Sequence, residues 1–128
     1  METTLEKLKK VNEALKKGEP GNTTEDNKGY SGYKPQYIID CVNREFLGEW
    51  GVEVIEKKNY RDGKNQRLTA FVHIRLSFLG QEVDSMASHP DNQNDLGDAY
   101  KAAQTDALKK AFAHFSIGNR AYHGLLKK

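Results

Sequence analysis

The sequence predicts an α+β fold: a helix, a three-stranded antiparallel sheet and a long helix packed on it. Three observations predict it. Residues Leu68 to Phe78 alternate strictly, with Leu68, Ala70, Val72, Ile74, Leu76 and Phe78 on one side and Thr69, Phe71, His73, Arg75 and Ser77 on the other. That is the period of a half-buried strand. The longest stretch free of Gly and Pro runs between Gly97 and Gly118 and is rich in alanine, the strongest helix former. The strand-like segments follow one another with short turns before that helix, so they pair antiparallel without crossovers.

The 128 residues allow one domain with one modest core. At 37% hydrophobic and 30% charged, the chain has few apolar residues per element. A protomer completed by its neighbours has this composition, as does a small monomer with mobile ends. The net charge of +2 means that any nucleic-acid footprint must come from local clustering. A single cysteine, Cys41, excludes an intramolecular disulfide and fits a reducing compartment. With no signal-peptide pattern and no bilayer-length apolar run, the chain reads as cytoplasmic.

Taken in order, Thr3-Thr4-Leu5-Glu6 is a capping box. Leu5, Leu8, Val11 and Leu15 follow at helical spacing, and Lys16-Lys17-Gly18 supplies the stop. This narrow, charged helix has three options: its own core, a neighbouring subunit, or fraying in solution. Gly18 to Gly29 collects Gly, Pro, Asn, Thr and acidic residues without periodicity and reads as a mobile linker. The division is therefore residues 1–29, helix and flexible linker, and residues 30–128, the core domain.

Pro35 favours the first turn of a second helix, with Ile38, Ile39, Val42 and Phe46 as its apolar face and Gly48 as its stop. From Trp50 the period becomes two. Val52 and Val54 alternate with Glu53 and Ile55, and Lys57 to Arg67 reads as a basic connection around the Asp62-Gly63 turn. After the Leu68–Phe78 strand, Gly80-Gln81 turns into a shorter strand, Glu82 to Ala87, and Ser88 to Asn94 is a polar loop. The long helix spans Gly97 to Asn119, with Asp95 and Asp98 at its start and Lys109 and Lys110 near its end, as the dipole prefers. Gly118 stops it. Tyr122, Leu125, Leu126, Lys127 and Lys128 form a short tail.

At 100° per residue, Leu96, Ala99, Tyr100, Ala103, Ala107, Ala111 and Phe115 share one arc of that helix. The alanines let it approach a sheet closely. Lys101, Thr105 and Lys109 form a row on the opposite side. Lys110 sits one turn beyond Asp106, and a solvated ion pair there is worth a few tenths of a kcal/mol.

Little suggests catalysis. Cys41, His73, His89, His114 and His123 lack the short ligand spacings of zinc sites, and His73 reads as a structural strand residue. Ser31 and Ser116 lack a nucleophile-elbow setting. Gly97-Asp-Ala-Tyr-Lys101 lacks the second glycine of a phosphate loop. The basic residues are better candidates. Lys57, Lys58, Arg61, Lys64 and Arg67 stand against Glu56 and Asp62, an excess of three positive charges, with Tyr60 among them. Such a hairpin either discourages edge pairing or binds an anionic polymer.

Lys101, Ala102, Thr105-Asp106, Leu108-Lys109-Lys110-Ala111, Phe115 and Gly118 resemble the signature helix of the Rad fifty-two family of single-strand annealing proteins. Tyr37-Ile38-Ile39-Asp40, Asn43, Phe46, Gly48 and Trp50 resemble the family's second landmark, with Leu47 inserted between Phe46 and Gly48. The resemblance covers roughly residues 30–124 and is to the compact phage-type versions, without the eukaryotic C-terminal partner-binding region. It implies an annealing domain that binds single-stranded DNA and anneals complementary strands in homologous recombination and repair. It further implies independence from ATP, no enzymatic activity, no cofactor, an oligomeric ring, and the cytoplasm of a bacterial host. The partners implied are single-stranded DNA, the annealed duplex, further copies of the chain, and a single-strand-binding protein or exonuclease.

By position, Lys109 and Lys110 match the family's basic pair on the groove floor, and Lys101 and Thr105 match residues one and two turns earlier. Lys57, Lys58, Arg61, Lys64 and Arg67 correspond to a hairpin lining the groove. Two departures leave the inner site weaker or differently built. Ala113 stands where eukaryotic members carry a basic residue, and Lys34 is the nearest cation to their arginine beside Tyr37. Two other classes compete with this reading. A double-stranded-RNA-binding module also runs helix, three strands, helix, with lysines on the last helix; a nuclease would rest on unassigned acidic residues alone.

Overall fold

The computed structural model describes residues 2–19, 21–25, 31–62, 67–90 and 95–118. Gly63 and Lys64 of the expected turn, residues 91–94 of the polar loop, and the tail with Tyr122, Leu125, Leu126, Lys127 and Lys128 lie outside them. The chain divides into two compact units, Met1–Glu49 with Phe112–Lys128, and Trp50–Ala111.

The first unit is helical. Helix α1, Thr4–Lys17, begins where Glu6 N–H donates to Thr3 Oγ1 at 3.1 Å and ends where Gly18 N–H reaches Ala14 O. Helix α2, Pro35–Phe46, carries proline in its first turn, as its fixed φ favours. The two helices pack together, burying Val11 and Leu15 of α1 and Ile38, Cys41, Val42 and Phe46 of α2. Of the options open to the first helix, docking within its own chain is the one realised. The Tyr37 hydroxyl donates to Ala14 O at 2.8 Å and lies so close to Gly18 that a Cβ there would overlap it. Gly18 is required for that approach.

Within the expected linker, β1, Thr23–Glu25, pairs antiparallel with β2, Ser31–Tyr33. The composition of this segment does not announce a strand; residues 20 and 26–30 lie outside the described set. The pairing is steadied by Tyr33 Oη donating to Glu19 Oε1 at 3.0 Å and by Lys34 N–H to Asn22 O at 2.9 Å.

The second unit is a three-stranded antiparallel sheet in the order β3–β4–β5, with the long helix α3, Leu96–Ala113, packed on it. Strand β3 is Trp50–Asp62, β4 is Arg67–Phe78 and β5 is Gln81–Pro90. Strand β4 is central and carries the core: Ala70, Val72, Ile74, Leu76 and Phe78 are all buried, as the alternation predicts. Two boundaries differ from expectation. Lys57 to Arg67 is not a free connection, because pairing continues to Asp62↔Arg67. Strand β5 runs on to Pro90 because each of its residues finds a partner back to Thr69.

Helix α3 opens with Asp95 Oδ1 accepting from Asp98 N–H at 3.3 Å and buries Ala99, Ala103 and Ala107. It ends earlier than predicted, at Ala113. Phe115 N–H and Ser116 N–H close three-residue turns to Phe112 O and Ala113 O, and Ser116 takes φ 64°, which a continuing helix does not permit. Gly118, φ 77°, closes this turn rather than the helix. In the first unit, Asn12 Nδ2 donates to Ser116 O at 3.0 Å and Asn12 Oδ1 accepts from Gly118 N–H at 2.9 Å. Among the described residues no helix is long and apolar enough to cross a membrane.

Candidate nucleic-acid interface

The site begins with one extra residue in β3. Pairing with β4 runs from Trp50↔Phe78 to Val54↔Ile74 and resumes at Glu56↔His73, leaving Ile55 unopposed. This is a β-bulge. Directly opposed residues in an antiparallel pair share a face, so the ladder assigns every side chain. Val52 and Val54 lie with Leu76 and Ile74 on the face that meets α3. Beyond the bulge, Lys57, Asn59 and Arg61 lie with Val72, Ala70 and Leu68 on that same face. Glu56, Lys58 and Tyr60 go to the other. Unbroken alternation would have reversed the two sets, turning Glu56 rather than Lys57 towards α3.

Between this stretch and α3 is a cleft of about 590 Å³, lined by Val54, Ile55, Glu56, Lys57 and Val72 from the sheet and Tyr100, Lys101, Gln104 and Thr105 from the helix. Tyr100 is its fixed wall. Asn59 Nδ2 donates to Tyr100 Oη at 3.0 Å, and Lys57 Nζ stands 5.7 Å from the ring centroid, within cation–π range. Thr105 Oγ1 bonds back to Lys101 O and Ala102 O at 3.0 and 3.2 Å, which leaves the hydroxyl able to accept. The floor is apolar: Val72 is buried, while Val54 and Ile55 are 42% and 38% exposed. Cations, amide groups and an aromatic ring thus converge on one concave surface. Among the described residues no group of three or more His, Cys, Asp or Glu side chains could hold a metal ion.

The sequence matches the family described as "Rad52/22 family double-strand break repair protein" over residues 5–125. The chain belongs to the Rad52/22 family. Its place is therefore in DNA repair and recombination. No curated protein and no solved structure matches it.

Against this Rad52/22 background the predicted basic residues separate into groups. Lys57, Lys101 and Thr105 line the cleft, and Arg61 shares the strand face of Lys57. Lys58 is on the opposite face, 5.1 Å from the Phe71 ring centroid and 3.9 Å from Glu56 Oε1. Lys109 lies about 40° around the helix from Thr105 and Lys110 about 140°. Lys109 is half-buried, and that burial lowers its pKa, with Asp106 opposing and Lys110 adding to the effect. Lys110 is exposed and 3.5 Å from Asp106 Oδ2. Lys34, in the helical unit, donates its ammonium to Gly21 O at 3.0 Å. Lys64 and the side chain of Arg67 lie outside the described residues.

Sequence reasoning passes over Asn59, Tyr100 and Gln104 as site residues. Tyr100 falls within the alanine arc, although a tyrosine among small residues on a buried arc is itself a sign of local widening. The bulge has no such signal, since Ile55 is an ordinary strand residue.

His73 is structural, as its strand setting predicts. Its Nε2 lies 3.0 Å from Asp84 Oδ2, and Arg75 Nε and Nη2 donate to the same carboxylate at 2.7 and 3.2 Å. Arg75 first and His73 second hold the Asp84 carboxyl down at about 2. Burial pushes the Cys41 thiol up, so it stays protonated and is no nucleophile.

Proposed function

We propose that the chain binds single-stranded DNA along the cleft between β3 and α3 and anneals complementary strands. The observation that carries this reading is the convergence of Lys57, Arg61 and Lys101 on one face of a protein of the Rad52/22 repair family. Lysine and arginine neutralise phosphates and release counterions, which gives affinity without sequence preference. Lys109 prolongs the row of Lys101 and Thr105 towards the end of the helix.

Annealing of this kind needs no covalent step. The protein holds one strand extended, a second strand tests it by base pairing, and the duplex leaves. Neither ATP nor an enzymatic group is required. Several protomers on one strand multiply individually weak interactions, which is the role we assign to an oligomeric ring.

The test is a titration of fluorescent single-stranded DNA with duplex RNA as competitor, followed by annealing of two complementary oligonucleotides without nucleotide or divalent metal. Single-stranded DNA should be preferred and annealing accelerated. Preference for duplex RNA would overturn the reading. Native mass spectrometry, with and without the DNA, should show assemblies well above a dimer; a strict monomer in both would remove the ring.

A further inference from the structure

The cleft is the wrong shape and lining for phosphates alone. Phosphates are held by cations and hydrogen-bond donors and gain nothing from an apolar floor. This hollow falls within the volume range of small-molecule sites, about 300–1,000 Å³, and its floor is Val54, Ile55 and Val72. Val54 and Ile55 are large apolar side chains left exposed. Its aromatic wall, Tyr100, is held in place by Asn59 and Lys57 rather than left free to rotate.

We infer that the cleft takes in a nucleobase of the bound strand, one per protomer. This inference rests on the reading of the cleft as a single-strand site. The base lies against the Val54–Ile55–Val72 floor and beside the Tyr100 ring. Gln104, whose amide both donates and accepts, meets the base edge without demanding one identity. Lys57 and Lys101 hold the flanking phosphates. A base so held is withdrawn from pairing, and its neighbours along the strand stay available to the complement. The occupant is fixed by complementarity: an apolar, flat, hydrogen-bonding body attached to negative charge matches an apolar floor, a fixed ring, an amide and two cations.

The experiment compares two probes of equal length and phosphate number, an oligothymidylate and its fully abasic tetrahydrofuran analogue, by fluorescence anisotropy with the full chain. The oligothymidylate should bind about 5- to 150-fold more tightly, the range corresponding to one stacked base. Tyr100→Ala should bring that ratio towards one. Val54→Lys, on an exposed strand position, should also lower it, while strengthening binding of the abasic probe through the added charge. Circular dichroism establishes that both variants are folded. Equal binding of the two probes by the unaltered chain would overturn the base pocket and leave single-strand binding standing. A ratio that survives both substitutions would place base recognition elsewhere and overturn it as well. Failure to bind either probe would remove the single-strand reading, and the pocket with it.

Discussion

Replacing Lys101 with alanine separates an electrostatic cleft from a merely solvated helix face. Lys101 is exposed on α3 and lines the cleft, and alanine is the better helix former, so the variant should fold as the parent does. Each phosphate that is no longer neutralised flattens the log-affinity against log-salt slope by about 0.7 for single strands. Raising salt fourfold, from about 50 to about 200 mM, should therefore narrow the gap between parent and variant by about 2.6-fold. Adding Lys57→Ala frees a second phosphate, and the narrowing should reach about sevenfold. The Lys57 substitution also removes the cation over Tyr100, worth about 0.5–1 kcal/mol at an exposed site, so Lys101 is the cleaner probe. Anisotropy titrations at several salt concentrations measure the slope directly. Parallel lines for parent and single variant would show that Lys101 touches no phosphate, and the cleft would lose its electrostatic basis.

Three further outcomes follow from the fold. Asn12→Ala strands the buried Gly118 N–H and should cost about 1–3 kcal/mol in urea denaturation. Gly18→Ala drives a Cβ into the Tyr37 ring and should destabilise by about 1–3 kcal/mol on the same measurement. For Asp84, the folded pKa of about 2 lies below the unfolded value near 3.9. Its contribution is therefore complete above pH 4 and is lost as pH falls from about 4 through 2. Asp84→Asn should show a shallower loss of melting temperature across that window; an unchanged acid limb would mean that Arg75 and His73 do not stabilise the carboxylate.

Much of the fold is legible in the residues because burial writes a period. The alternation from Leu68 to Phe78 could belong only to a strand with one covered face, and the alanines at 99, 103 and 107 mark a helix that sits close to its support. The Rad52/22 relationship is legible in residue identity rather than period, mainly in residues of that helix and of α2, and the family match over residues 5–125 bears it out. Ends are harder to read. The helix pattern runs on to Phe115, but its stop is set by Ser116 adopting a positive φ under the hold of Asn12, more than a hundred residues away in the chain. Strand β3 is harder still. Its residues from Gly51 to Arg61 are exposed on both faces, so no hydrophobic pattern fixes its phase. Only pairing with β4 reveals which of Lys57 and Lys58 turns towards α3.

The Asn12 clamp also has a bearing on the order in which the chain can fold during synthesis. The sheet-bearing unit, Trp50–Ala111, is continuous and can form as soon as its own residues have emerged. Helix α1 is made before that unit, yet the carbonyl of Ser116 and the amide of Gly118 that its asparagine joins appear only 104 and 106 residues later. Partners so far apart in sequence carry the loop-closure cost that slows folding. Helix α1 is thus made early and is among the last to find its polar partners, and until then its apolar stripe of Val11 and Leu15 has α2 to pack on.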